Sequence, residues 1–201
     1  MAIITLAIDE NTKKPVIYDT EDAVRGVINY TINKSKFSSF RNLTPFGMDA
    51  NCIANQMIFI QRCRYKPMAN RIIHLVMSFA TADYEEFINK NNLDQIMYWV
   101  VELYFHKCQR FVCMHTDNPS HLHLHYIINP IDLENYSVVR YSLVSLIQDM
   151  SRWLCEDYGI AVQGMTYFNG SGKLCRGSEG GVMLYQNKYC QKYGLDVRGC
   201  I

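Results

Sequence analysis

Residues 121–129 read His-Leu-His-Leu-His-Tyr-Ile-Ile-Asn, and no other stretch of the chain restricts its folding as much. In an extended strand successive side chains point to opposite faces. His121, His123, His125, Ile127 and Asn129 therefore share one face, and Leu122, Leu124, Tyr126 and Ile128 share the other. The aliphatic face is what a sheet buries against helices. The opposite face carries three imidazoles and an amide, too polar for a core without partners. The preceding run, Gln109 to His115, reads as a second strand, joined to the first through the turn-forming Thr116-Asp117-Asn118-Pro119-Ser120. A five-residue loop sets His115 opposite His121 and diagonal to His123. Four of the six histidines then converge on one face of one hairpin.

Imidazole is the commonest metal-ligating side chain. Neighbouring same-face residues of a strand lie about 6.6 Å apart, close enough for two rings to meet on one ion, whereas His121 and His125 are about 13 Å apart. The expected ligands are His123 and His125 with His115 from across the hairpin. His121 is the alternate third ligand or a supporting donor. Three protein ligands leave positions open for substrate oxygens, the catalytic rather than the structural arrangement. A His-x-His pattern also occurs in cupins and zinc hydrolases, so the metal is better specified than the reaction. Three neutral imidazoles suit Zn, Mn, Ni or Co better than Mg.

Around this hairpin the pattern is that of one α+β domain with an antiparallel sheet flanked by helices. Strands are expected at 2–8 and 15–18, with a helix from an Asp19–Asp22 cap to about Tyr30. A basic loop with Lys34, Lys36 and Arg41 follows, punctuated by Pro45 and Gly47, and Asp49 caps a helix to about Arg64. Residues 71–79 alternate as a strand. Thr81 or Asp83 opens a helix to about Phe105, and another helix spans about Ser137 to Tyr158. A strand near Val162 to Phe168 runs into the turn Asn169-Gly170-Ser171-Gly172, and the tail holds one further helix at about 181–193. No repeat or linker divides residues 1–201, and 160–201 read as a C-terminal extension.

Composition excludes several classes. At 49 % apolar and 19 % charged, the 201 residues bury a real core, which rules out a disordered chain. A net charge of +1 makes no case for a strongly basic surface, so any anion-binding face must be a local patch. The N-terminus lacks a basic region and a small-residue cleavage site, so it reads as a strand and not a signal peptide. No run approaches the roughly 18 apolar residues of a membrane span. The eight cysteines show no Cys-x-x-Cys and are expected to be reduced and mostly buried. An intracellular protein is expected.

The string His115 to Asn129, H-T-D-N-P-S-H-L-H-L-H-Y-I-I-N, resembles the metal motif of the relaxase/mobilisation nucleases, within the larger histidine–hydrophobic–histidine endonuclease class. It departs by one extra residue in the gap, which leaves the third ligand open between His115 and His121. Val27 to Lys34 is similar to the family's first motif, with a tyrosine at a helix end. Arg71 to Phe79 looks like the second, a strand ending in Ser-Phe. The likeness covers about residues 20–130 and is closest to the tyrosine-using, type-P mobilisation class.

What the resemblance implies is a sequence-specific, single-strand nick at a transfer origin in a bacterial cytoplasm. Tyr30 would be the nucleophile and a 5′-phosphotyrosine the intermediate, with Mn or Mg as the working ion. Asp117 would orient His115 or another liganding imidazole, Asn129 would hydrogen-bond nearby, and Ser78 would touch DNA. Lys34, Lys36 and Arg41 suit phosphate contacts. An accessory DNA-binding protein and a type IV coupling protein would be partners. Two other readings compete. A rolling-circle replication initiator would use a later tyrosine, and Tyr185-Gln-Asn-Lys188 and Tyr189-Cys-Gln-Lys192 fit its Tyr-x-x-Lys pattern. A non-catalytic, metal-stabilised adaptor would bind metal, and DNA, without cleaving it.

Overall fold

The computed structural model describes residues 2–7, 9, 11, 15–46, 49–64, 66–80, 101–118, 121–160, 162–168 and 174–176. Along the chain run β1 (Ala2–Leu6), α1 (Glu21–Asn33), β2 (Phe37–Arg41), α2 (Ala50–Arg62) and β3 (Ile73–Ala80). After helical residues 101–105 come β4 (Arg110–Asn118), β5 (His121–Ile128), α3 (Leu143–Tyr158), β6 (Val162–Phe168) and β7 (Leu174–Arg176). Among the described residues the strands form one seven-stranded sheet in the order β2-β4-β5-β3-β1-β6-β7. It is antiparallel apart from the β1–β6 pair. The expected α+β architecture is present.

Each face of the sheet carries its own core. On one face Leu75, Met77, Leu124 and Tyr126 pack with Phe105 and with Leu146, Ile147 and Trp153 of α3. On the other, Phe111, Cys113 and Ile127 pack under Val24 and Ile28 of α1 and Ile53 and Met57 of α2. The alternation in β5 thus has its purpose: Leu122, Leu124, Tyr126 and Ile128 all belong to the first core. The histidine-bearing face lies toward α1 and α2, and Ile127 is the one member that joins their core.

Several local expectations are corrected. Residues 15–18 form no strand, only a bridge at Pro15, with Val16 N–H bonded to Ala7 O at 3.0 Å. Proline has no N–H to continue a ladder. The cap of α1 is Thr20, whose side chain accepts from Ala23 N at 3.1 Å, with Glu21 and Asp22 in the favoured first turn. The basic segment after α1 is not all loop, because Phe37–Arg41 pairs with β4 as β2. There Phe40 meets Phe111 at 5.6 Å between ring centroids. Its shortness and polarity suit an edge strand. α3 begins at Leu143 under a Ser142 cap rather than near Ser137, because Ile131 and Val138 are held in an isolated bridge ahead of it. α2 keeps its expected Asp49 cap. Most of the expected 81–105 helix, the 169–172 turn and the 181–193 helix lie outside the described residues.

Among the described residues Cys52, Cys63, Cys108, Cys113 and Cys155 are free thiols. Burial pushes Cys108 up to about 12 and Cys113 to about 11, so these two stay protonated and inert. No described helix is long and apolar enough to cross a membrane.

Candidate metal and nucleophile site

The β4–β5 ladder does not stop where a five-residue loop would end it. β4 runs on to Asn118, with a register shift between His115 and Asn118. His115 therefore stands opposite His123 rather than His121, and His121 is opposite Asn118. On the other side of β5, Ser78 pairs with His123 and Val76 with His125. Directly paired residues share a face, so β3, β4 and β5 together present His74, Ser78, His115, His123 and His125 beneath the C-terminal half of α1.

One nitrogen of each central ring is engaged. His115 is 1 % exposed, and its Nε2–H donates to the Thr31 carbonyl at 2.7 Å. That carbonyl lies in the last turn of α1, where no intrahelical donor reaches it. His123 Nδ1 meets Ser78 Oγ at 2.8 Å. His125 Nδ1 meets His74 Nε2 at 2.9 Å, and His74 Nδ1 meets Tyr18 Oη at 2.7 Å. The nitrogens left over are Nδ1 of His115 and Nε2 of His123 and His125. The His115 and His125 ring centroids are 4.2 Å apart, and those of His123 and His125 are 6.3 Å apart.

Burial, reinforced by neighbouring imidazoles, holds His125 down at about 2 and His74 at about 3. Burial lowers His123 as well. These rings are neutral over the physiological range, the form that donates a lone pair to a metal. Among the described residues no three His, Cys, Asp or Glu side chains stand in a geometry that already holds a metal ion. The fit lies in the donor set: three adjacent imidazoles, each fixed by a hydrogen bond through one nitrogen and unbonded at the other.

Tyr30 stands over these rings. It projects from the last turns of α1, is 46 % exposed, and its ring centroid is 5.6 Å from that of His115 and 6.0 Å from that of His125. One turn later Lys34 places its ammonium 4.8 Å from the Tyr30 centroid, a cation–π contact between i and i+4 neighbours. Tyr30 is thus half open to solvent, beside the imidazoles and under a positive charge.

The other expected residues divide. Asp117 sits beside the site, but its ion-pair partner is Lys34 at 3.7 Å; the Thr31 carbonyl, not Asp117, holds His115. Its charge still reaches His123 and opposes the downward shift there. Ser78 is His123's hydrogen-bond partner. His121 is exposed at the rim, 6.3 Å from the His123 centroid. Lys36 is exposed, beside the site's end of β2. Arg41 is at the opposite end of β2, across from Arg110, and its Nη1 donates to Ser39 Oγ and Phe40 O.

Asn129 is not near the imidazoles. It is fully buried at the far end of β5, where Nδ2 donates to Gln109 Oε1 at 2.9 Å and to Met57 O at 3.3 Å, and Oδ1 accepts from Gln61. Its strand parity puts it on the histidine face, but two residues of strand on either side of Ile127 carry it about 13 Å from His125. Asn129→Leu should lower stability by about 1–3 kcal/mol in urea melts through the stranded Gln61 and Gln109 amides. Metal uptake should be unchanged in the folded fraction.

Two residues of the arrangement were not singled out from the sequence: His74, which has the same strand parity as Ser78, and Tyr18. Tyr185 and Tyr189 lie outside the described residues. Residues 30–160 match the family model described as relaxase, MobA/VirD2-like, nuclease domain. The chain matches no curated protein and no solved structure.

Proposed function

Because the chain belongs to the relaxase family through a MobA/VirD2-like nuclease domain, we propose that it nicks one DNA strand at the transfer origin of a plasmid or conjugative element, with Tyr30 as nucleophile. The observation that carries this is the juxtaposition of a half-exposed Tyr30 with His115 and His125, its ring centroid 5.6 and 6.0 Å from theirs. The Tyr30 Oη attacks the scissile phosphorus and the P–O3′ bond breaks. The phenol's proton is lost and the departing 3′ oxygen gains one, leaving a 5′-phosphotyrosine and a free 3′-hydroxyl. One phosphate ester replaces another, so the reverse reaction rejoins the strand without ATP.

His115 Nδ1, His123 Nε2 and His125 Nε2 would hold a divalent ion, Mn or Mg in function, with Zn, Ni or Co also suited to the donors. When bound, it supplies positive charge at the phosphate oxygens. Lys34 draws the strand toward Tyr30, and Asp117 sets the position of Lys34. Ser78 holds His123 through Nδ1 and so acts through the ligand rather than on DNA. Lys36 extends the phosphate path. Accessory DNA-binding and type IV coupling proteins in a bacterial cytoplasm complete the reading.

His74 and Tyr18 are positioning residues. For His125 to bind through Nε2, its Nδ1–H donates to His74 Nε2. His74 Nδ1–H then donates to Tyr18 Oη. His74→Phe should weaken metal affinity by about 10- to 100-fold, and His74→Gln, which keeps an acceptor, should recover part of it. Titration of Mn by calorimetry checks this. Equal affinity for wild type and His74→Phe would remove the role.

The test of the reaction is adduct mapping with Mn and single-stranded DNA from the element's own origin. A denaturation-resistant nucleotide on the Tyr30 peptide supports the reading. A nucleotide on Tyr185 or Tyr189 instead makes the protein a replication initiator. No adduct with the cognate origin, despite bound metal, leaves the non-catalytic adaptor.

A further inference from the structure

A cavity of about 560 Å³ opens beside Tyr30, between α1 and the chain leading into it. Ala23, Gly26, Val27 and Tyr30 form its α1 wall, an i, i+3, i+4, i+7 stripe, and Val16, Ile17 and Tyr18 face them. Its base is the sheet, at His74, Val76 and His125. The volume falls within the range of small-molecule sites, about 300–1,000 Å³. We propose that this cavity receives one nucleobase of the DNA strand engaged at Tyr30.

The proposal rests on the relaxase reading, and three features point to a base as the occupant. The cavity shares Tyr30 and His125 with the site, so whatever fills it belongs to the molecule held there, and single-stranded DNA offers unstacked bases. Its walls are aliphatic, suited to the faces of a planar heterocycle, and Ile17 lies 63 % exposed. Its polar base is specific. Tyr18 is only 7 % exposed, and its Oη meets His74 Nδ1 at 2.7 Å; in the tautomer in which His74 Nδ1–H donates, the hydroxyl hydrogen is left to donate to an occupant. Every nucleobase carries a ring nitrogen or carbonyl able to accept it.

Gly26 is the fourth feature. It sits inside a helix at ordinary helical φ, so no left-handed conformation demands glycine there. A Cβ built on it meets nothing within 4 Å. Nothing in the protein itself requires the missing side chain, which is a helix weakness. What the glycine preserves is the open space of the cavity.

The experiment measures fluorescence anisotropy of labelled (dT), (dC) and (dA) homopolymers and of an abasic phosphodiester of the same length, in EDTA so that metal plays no part. Gly26→Leu should weaken binding of the base-bearing strands by about 5- to 100-fold, the usual worth of one bound base. It should leave the abasic strand unchanged. Ala23→Leu, from the same wall, should do likewise, and leucine's helix preference keeps both variants folded. In wild type, a strand carrying 4-thiothymidine should photo-cross-link to peptides holding Val16–Tyr18 or Ala23–Val27. Equal weakening of abasic and base-bearing strands, no weakening of either, or cross-links confined elsewhere would overturn the pocket while wild-type DNA binding left the relaxase reading standing. Wild type that binds no single-stranded DNA would overturn both.

Discussion

Tyr30→Phe should abolish strand cleavage and adduct formation, a loss of at least ~10⁴-fold in single-turnover rate, while DNA still binds. The substitution removes one oxygen atom and nothing else that the ring contributes. The edge-on contacts to His115 and His125 and the Lys34 cation over the ring all survive with phenylalanine. Because the side chain is 46 % exposed, losing its hydroxyl strands no buried partner, and the melting temperature should stay near that of wild type. The measurement is a quenched time course on a denaturing gel with a labelled origin strand, next to a binding isotherm on the same strand. Cleavage within about tenfold of wild type would take the nucleophile away from Tyr30. Lost cleavage together with lost binding would mean that the residue holds DNA rather than attacks it.

His123→Ala combined with His125→Ala should eliminate stoichiometric metal. Loss of a group that merely supports a ligand costs 10- to 100-fold in affinity, so loss of two ligands should cost at least ~10³-fold. The two positions differ in their structural consequences. His123 is half-buried and its Nδ1 partner Ser78 is itself accessible enough to turn to water, so His123→Ala alone should be nearly neutral for folding. His125 is buried against His74, whose Nε2 is left without a partner when His125 is removed, at a cost of about 1–3 kcal/mol. The double variant is therefore expected to melt earlier than His123→Ala yet still cooperatively. Metal content after dialysis against Mn, normalised to folded protein, decides the matter. An ion retained at one per chain would sink the ligand assignment. The control is His121→Ala, which lies at the exposed rim and should retain its metal.

The contrast between His115 and Asn129 shows how far local pattern reaches. Both belong to the histidine face by parity. His115 belongs in the cluster because β2, β4 and α1 converge on it: its Nε2–H satisfies a carbonyl in the last turn of α1. Asn129 is excluded because α2 and Gln109 take up its amide at the other end of the strand. Strand parity says which side a residue is on and nothing about how far along the strand a ligand can reach. Asp117 shows the same limit: its closeness to His115 in sequence put it beside the site, but its partner there is Lys34.

β2 shows a different limit. Phe37–Arg41 was hidden among lysines and next to Pro45 and Gly47, and an edge strand of five residues carries too little periodic signal to stand out. Its Phe-Ser-Ser-Phe-Arg run is legible only once β4 supplies a partner. His74 was legible in parity, on the same face of its strand as Ser78. It joined the site because β3 pairs with β5 in the register that sets it diagonal to His125.

By itself the sequence determined the faces: alternation with a period of two is a local property of an extended backbone, and it committed β5 to one aliphatic side and one imidazole side wherever the strand was placed. It also determined α2 and its cap, and a family likeness written in contiguous residues. Only the tertiary structure decided which imidazoles meet: the shift between His115 and Asn118 is local to the β4–β5 hairpin, but the β3–β5 register and the seating of α1 depend on segments brought together over about 40 to 90 residues of chain. The cavity beside Tyr30 was decided there too, since its two walls belong to segments with no periodic relation to one another.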